Sequence, residues 1–119
     1  MAVALLTNVS ITPTLAINAQ TGTTYTTVLG DGNNTLVTLT NASAITLTIP
    51  PNSSVAYPVG TILNFSQNGA GQVTFAAGAG VTIVSTGATA AAPKLRAQYA
   101  MATAIQTAAN SWIVTGDIS

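Results

Sequence analysis

Apolar residues alternate with threonine in short runs along much of this chain, and each run ends at glycine, asparagine or proline. In Ile45-Thr46-Leu47-Thr48-Ile49 every second side chain is branched and apolar, and Pro50-Pro51 follows. A period of two places Ile45, Leu47 and Ile49 on one side of an extended backbone and Thr46 and Thr48 on the other, as in a half-buried strand. Val37 and Leu39 alternate in the same way with Thr38 and Thr40. Leu63 and Phe65 oppose Asn64 and Ser66; Val73 and Phe75 point inward in the next run, and Val81 and Ile83 in the one after. The glycine-rich pieces 68–71 and 78–80 read as turns, so residues 60–84 are expected to form a meander of short hairpins. The expected fold is all-β: an antiparallel β-sandwich or jelly-roll-like domain built of short hairpins.

Two regions are less regular. Before residue 35, Val3, Leu5, Val9 and Ile11 alternate weakly, Pro13 interrupts, and residues 15–19 and 25–29 are further candidate strands around the turn Gly30-Asp31-Gly32-Asn33. Residues 1–34 therefore read as an N-terminal arm with edge strands, and residues 35–119 as the sandwich domain. In the alanine-rich segment 95–109, Leu95, Tyr99, Ala102 and Ile105 or Gln106 fit a helical stripe nearly as well as a strand. Consistency with the neighbouring hairpins favours a strand. Leu95, Ala97, Tyr99, Met101 and Ile105 would then face the core, with Arg96, Gln98, Ala102 and Gln106 outward. Residues 112–116 would pair back across Ala109-Asn110-Ser111.

Charge narrows the function. The chain has 119 residues, of which only Asp31, Lys94, Arg96 and Asp117 are charged, with no histidine, glutamate or cysteine; an ordinary domain is roughly 25% charged. Without histidine or cysteine the common nucleophile–base pairs and imidazole or thiolate metal sites cannot be built, and the expectation is a non-enzyme without cofactor or metal. Asp31 and Asp117 would be the only carboxylate pair for glycoside hydrolysis, and Asp31 in Gly-Asp-Gly-Asn reads as a turn residue. Asp31-Gly32-Asn33 lacks the spaced acidic ligands of a calcium loop. Two basic residues cannot neutralise a run of phosphates, which argues against nucleic acid. Although 48% of the residues are hydrophobic, polar residues break every stretch of about 18, so no membrane helix is expected. No positive segment precedes the apolar start, which reads as an unprocessed beginning rather than a secretory leader.

A surface without charge gives copies no mutual repulsion. It points to association, with Val3, Leu5, Leu6, Val9 and Ile11 as candidate contact residues. Trp112 reads as core or interface, and Arg96 and Asp117 as a structural pair on neighbouring strands.

From about residue 35 onward the chain resembles the small β-structured virion proteins of tailed bacteriophages, found as capsid-decorating proteins and as head or tail fibre modules. The residues that carry the likeness are Gly69, Gly71 with Gln72-Val73-Thr74-Phe75, Gly80-Val81-Thr82-Ile83, Leu95-Arg96-Ala97-Gln98-Tyr99-Ala100, Ile105-Gln106, and Trp112-Ile113-Val114-Thr115-Gly116-Asp117. The resemblance implies a homo-oligomer, a trimer, made in the host cytoplasm and placed on the exterior of the virion. Its partner would be the major capsid protein, with no nucleic acid or membrane. The other station it implies is a fibre module that binds glycan on the host surface.

Overall fold

The computed structural model describes residues 14–86 and 91–119. Among the described residues there are nine strands: β1 (Ala16–Gln20), β2 (Thr24–Thr26), β3 (Thr35–Leu39), β4 (Ile45–Ile49), β5 (Ile62–Gln67), β6 (Val73–Ala77), β7 (Thr82–Ser85), β8 (Met101–Ala108) and β9 (Ser111–Gly116). A 3-10 turn, Leu29–Gly32, lies between β2 and β3. The fold is all-β, as the alternating pattern implies.

The pairing differs from that expectation. A six-stranded sheet has the order β1-β3-β5-β8-β9-β7 and a three-stranded sheet the order β2-β4-β6. Neighbours β1-β3-β5 are parallel, as are β2-β4-β6 and β7-β9; only β5-β8 and β8-β9 are antiparallel. From β1 to β7 successive strands thus alternate between the two sheets, and the chain winds through three stacked turns, β1–β2, β3–β4 and β5–β6, like the coils of a β-helix. The expected hairpin meander over 60–84 is replaced by this winding: β5 and β6 lie in different sheets, and β7 returns to the far edge of the large one. One hairpin, β8–β9, is where the sequence places it.

Stacked corners explain the glycines. At the corner after β5, Gly71 N–H donates to the Asn41 carbonyl at 2.8 Å and Asn68 N–H to Leu39 at 2.7 Å, so this corner rests on the one after β3. A Cβ on Gly71 would stand 1.8 Å from Ser43 O, and one on Gly69 2.6 Å from Asn41 N. The side chain of Asn41 continues the stack downward, donating to Thr21 O at 2.8 Å. What composition marks as a reversing turn is a corner too tight for any side chain.

The core lies between the sheets. Val37, Leu39, Leu63 and Phe65 of the large sheet face Ile45, Leu47, Ile49, Val73 and Phe75 of the small one, all essentially inaccessible, with Phe65 edge-on to Phe75 at 5.3 Å between ring centres. Trp112 is buried and meets Tyr57 at 5.4 Å and 90°. Burial of these side chains at roughly 1.5–3 kcal/mol each is the main favourable contribution.

Strand β8 faces the opposite way from the expected one. The expected strand over 95–109 begins only at Met101; before it Leu95 is buried as expected and Tyr99 is exposed, and in it Ala102, Ala104 and Gln106 are buried and Met101 and Ile105 exposed. Its inward neighbours supply the reason: Ala102 lies beside Phe65, Ala104 between Leu63 and Val114, and Gln106 beside Trp112. Large side chains on the flanking strands fill the space, and alanine fits between them. Gln106 is needed inside because its amide, with the nitrogen turned toward the loop, donates to Pro58 O at 2.8 Å and Tyr57 O at 2.9 Å.

Candidate functional site: an uncharged sheet face and its neighbouring groove

None of the four charged residues lies in a strand. Asp31 sits in the 3-10 turn and is 2% exposed. Its carboxylate accepts from Tyr25 Oη at 2.6 Å, Asn18 Nδ2 at 2.8 Å and Val28 N at 3.0 Å. The first turn of the coil is therefore filled by a polar network, where the next two turns are filled by apolar side chains. Burial, and after it the bond to Asp31 and its negative charge, push the Tyr25 hydroxyl well above its ordinary value.

Arg96 and Asp117 are joined by two hydrogen bonds, Nε to Oδ1 at 2.6 Å and the second guanidinium nitrogen to Oδ2 at 2.9 Å. The Arg96 guanidinium holds the Asp117 carboxyl below the usual carboxylate range. The backbones meet too, Arg96 N–H donating to Asp117 O at 3.1 Å, while residues 93–95 run beside β6. The two aspartates thus have separate partners in separate parts of the fold. Among the described residues Lys94 has no ionic partner, and Asp31 is met by neutral donors alone. Val3, Leu5, Leu6, Val9 and Ile11, the candidate contact residues, lie outside the described residues.

With charge excluded from every strand, the outer face of the large sheet is neutral. Along β8 it carries Met101, Thr103 and Ile105; along β5, Ile62, Asn64 and Ser66; along β9, Ile113 and Thr115; along β7, Thr82 and Val84. Register brings these into rows. Thr115, Thr103 and Asn64 form one row, in which Thr103 Oγ1 donates to Asn64 Oδ1 at 3.0 Å. The next row is aliphatic: Val84, Ile113, Ile105 and Ile62 stand side by side on four neighbouring strands. Alternation within β8 points Ile105 at the core; the row exists only through the register of four separate strands.

Beside Ile62 the 3-10 turn approaches the loop before β5 and leaves a groove. One hollow of about 330 Å³ is bounded by Leu29, Gly32, Ala56, Tyr57, Pro58 and Thr61. A second, of about 240 Å³, shares Gly32 and Thr61 and adds Asn34, Ile62 and Asn64. The walls are stiff: Tyr57 Oη bonds Thr27 Oγ1 and Val28 O, both at 2.8 Å, and Thr61 Oγ1 donates to Pro58 O at 2.6 Å. No charged group lines either hollow.

No protein-family model matches this chain, and no curated protein matches it.

Proposed function

We propose that this chain is a structural protein of a bacteriophage virion, a decoration or cement protein that stabilises the head by lying over junctions between major capsid subunits. The observation that carries this reading is the location of charge. One aspartate is buried, an arginine and an aspartate neutralise each other, and Lys94 alone is free among the described residues. Such a surface gains affinity from apolar and hydroxyl contacts and almost none from ions. Copies associate with one another, a trimer following from the resemblance, and the partner is the major capsid protein on the exterior of the particle. Nothing in this account needs catalysis, a cofactor, nucleic acid or membrane.

Two measurements test it. Quantitative mass spectrometry of purified particles should find hundreds of copies per head. Attachment should also survive a rise to about ten times physiological ionic strength, where screening shortens to a few ångströms. Release by salt, or a handful of copies per particle, refutes the proposal.

The groove supports a second reading, a head or tail fibre module that binds host-surface glycan. Its apolar wall of Leu29, Ala56 and Pro58, with amides from Asn33, Asn34 and Asn64 along it, suits a neutral sugar. This reading predicts cell binding by the isolated protein, which the decoration reading does not.

A further inference from the structure

We infer that the aliphatic row on the outer face of the large sheet is where copies of this chain meet; the inference rests on the self-association included in the proposed function and names its surface. Val84 of β7 stands beside Ile113 of β9, Ile113 beside Ile105 of β8, and Ile105 beside Ile62 of β5. With strands about 4.8 Å apart, the row runs about 14 Å without a polar interruption. The four side chains remain 47, 43, 36 and 48% exposed in that order.

Folding alone does not account for them. A sheet face turned to water normally carries polar residues, and this chain uses threonine for the purpose on the same strands, at Thr103 and Thr115. Threonine is as β-branched as isoleucine and serves a strand equally well. Cross-strand contact between aliphatic neighbours contributes roughly 0.2–1 kcal/mol per pair, yet it leaves a third to a half of each side chain wet.

A second copy is the occupant that the face fits best. Row against row is apolar against apolar. No charge lies in any strand, so two such faces approach without like-charge repulsion or the desolvation of an ion. A charged partner would instead leave its own groups unpaired over aliphatic carbon. Six strands at this spacing and about five residues of 3.3 Å each give a face of about 24 by 16 Å. Pairing two such faces buries on the order of 800 Å², below the roughly 1,200 Å² at which stable specific interfaces begin and in the range of weak, transient ones. Association through this face is accordingly weak and concentration-dependent.

Sedimentation velocity of the full chain, from micromolar to near-millimolar, is the test. The unaltered protein should pass from monomer to oligomer as concentration rises. The double variant Ile105→Thr/Ile113→Thr keeps β-branching and should raise the dissociation constant by about tenfold or more, with an unchanged far-UV circular dichroism spectrum. Thr46→Lys, on the exposed side of β4 in the other sheet, should associate as the unaltered protein does. A chain that stays monomeric throughout, or a double variant that associates normally, overturns the inference. Self-association by a protein that never binds particles would remove the virion reading and leave this one standing.

Discussion

Replacing Asp31 tests the polar first turn of the coil most directly. The carboxylate is buried and receives three donors, from Tyr25, Asn18 and Val28, and no cation faces it among the described residues. Asp31→Ala removes the acceptor and leaves three donors behind. A buried donor without a partner costs roughly 1–3 kcal/mol. Asn18 and Tyr25 are only half-buried and Val28 is exposed, so water recovers part of each loss and the low end applies, about 3 kcal/mol in all. Asp31→Asn keeps the shape and one accepting oxygen, and its cost should be nearer 1–2 kcal/mol. Trp112, the single tryptophan, is buried against Tyr57 and reports unfolding by fluorescence. With a urea slope of about 1.5 kcal/mol per M, the alanine variant's midpoint should fall by about 2 M. Tyr25→Phe removes one donor of the same set, so its cost should add to that of Asp31→Ala with a shortfall of about 1 kcal/mol. A loss below about 1 kcal/mol for Asp31→Ala, or strict additivity with Tyr25→Phe, would show that the network contributes nothing as a unit.

Three further outcomes are expected. Burial is the largest cause raising both Tyr25 and Tyr57 above the ordinary tyrosine value; the unfolded chain ionises first, so their stabilisation holds below about pH 10 and is lost as pH rises through their folded values. Urea midpoints should decline above that pH, and absorbance at 295 nm should show Tyr25 titrating earlier in Asp31→Asn. Tyr99 has a φ of 69° and is 72% exposed. The left-handed conformation costs a tyrosine about 1–2 kcal/mol, and glycine gives back about 0.5–1 through unfolded-chain entropy. Tyr99→Gly should thus stabilise by up to about 1.5 kcal/mol, and a clear destabilisation in urea would mean the ring is packed. Gly71→Ala places a methyl 1.8 Å from Ser43 O, a clash with backbone that cannot turn aside, and soluble folded protein should be lost; recovery with the same melting temperature would refute the stacked-corner account.

Much of the inward face was readable in advance. The alternation in β3 to β6 correctly points Val37, Leu39, Ile45, Leu47, Ile49, Leu63, Phe65, Val73 and Phe75 into the core, because period two is a local property of the strand. β8 shows where that signal fails. Its residues alternate between alanine and larger side chains, and size alone selects Met101 and Ile105 as the inner set. The flanking strands had already filled the interior with Phe65, Leu63 and Trp112, so the small set turned inward and Gln106 with it. Gly-Asp-Gly-Asn marks Asp31 as a turn residue, and it does sit in a turn; its burial against Tyr25 and Asn18 depends on β1 and β2 lying beside it.

The chain by itself determined the β class and the scarcity of charge, since these are properties of composition and short-range alternation; that Arg96 lies outside β8, and charge therefore outside every strand, was settled by the fold. Tertiary structure alone decided that successive strands stack in parallel coils and not in hairpins, and that Val84, Ile113, Ile105 and Ile62 meet in one row. The physical reason is the same for both. A strand's pattern states which of its sides is apolar, but its neighbour is chosen by long-range backbone hydrogen bonding and core volume, and those exist only once distant segments are in contact.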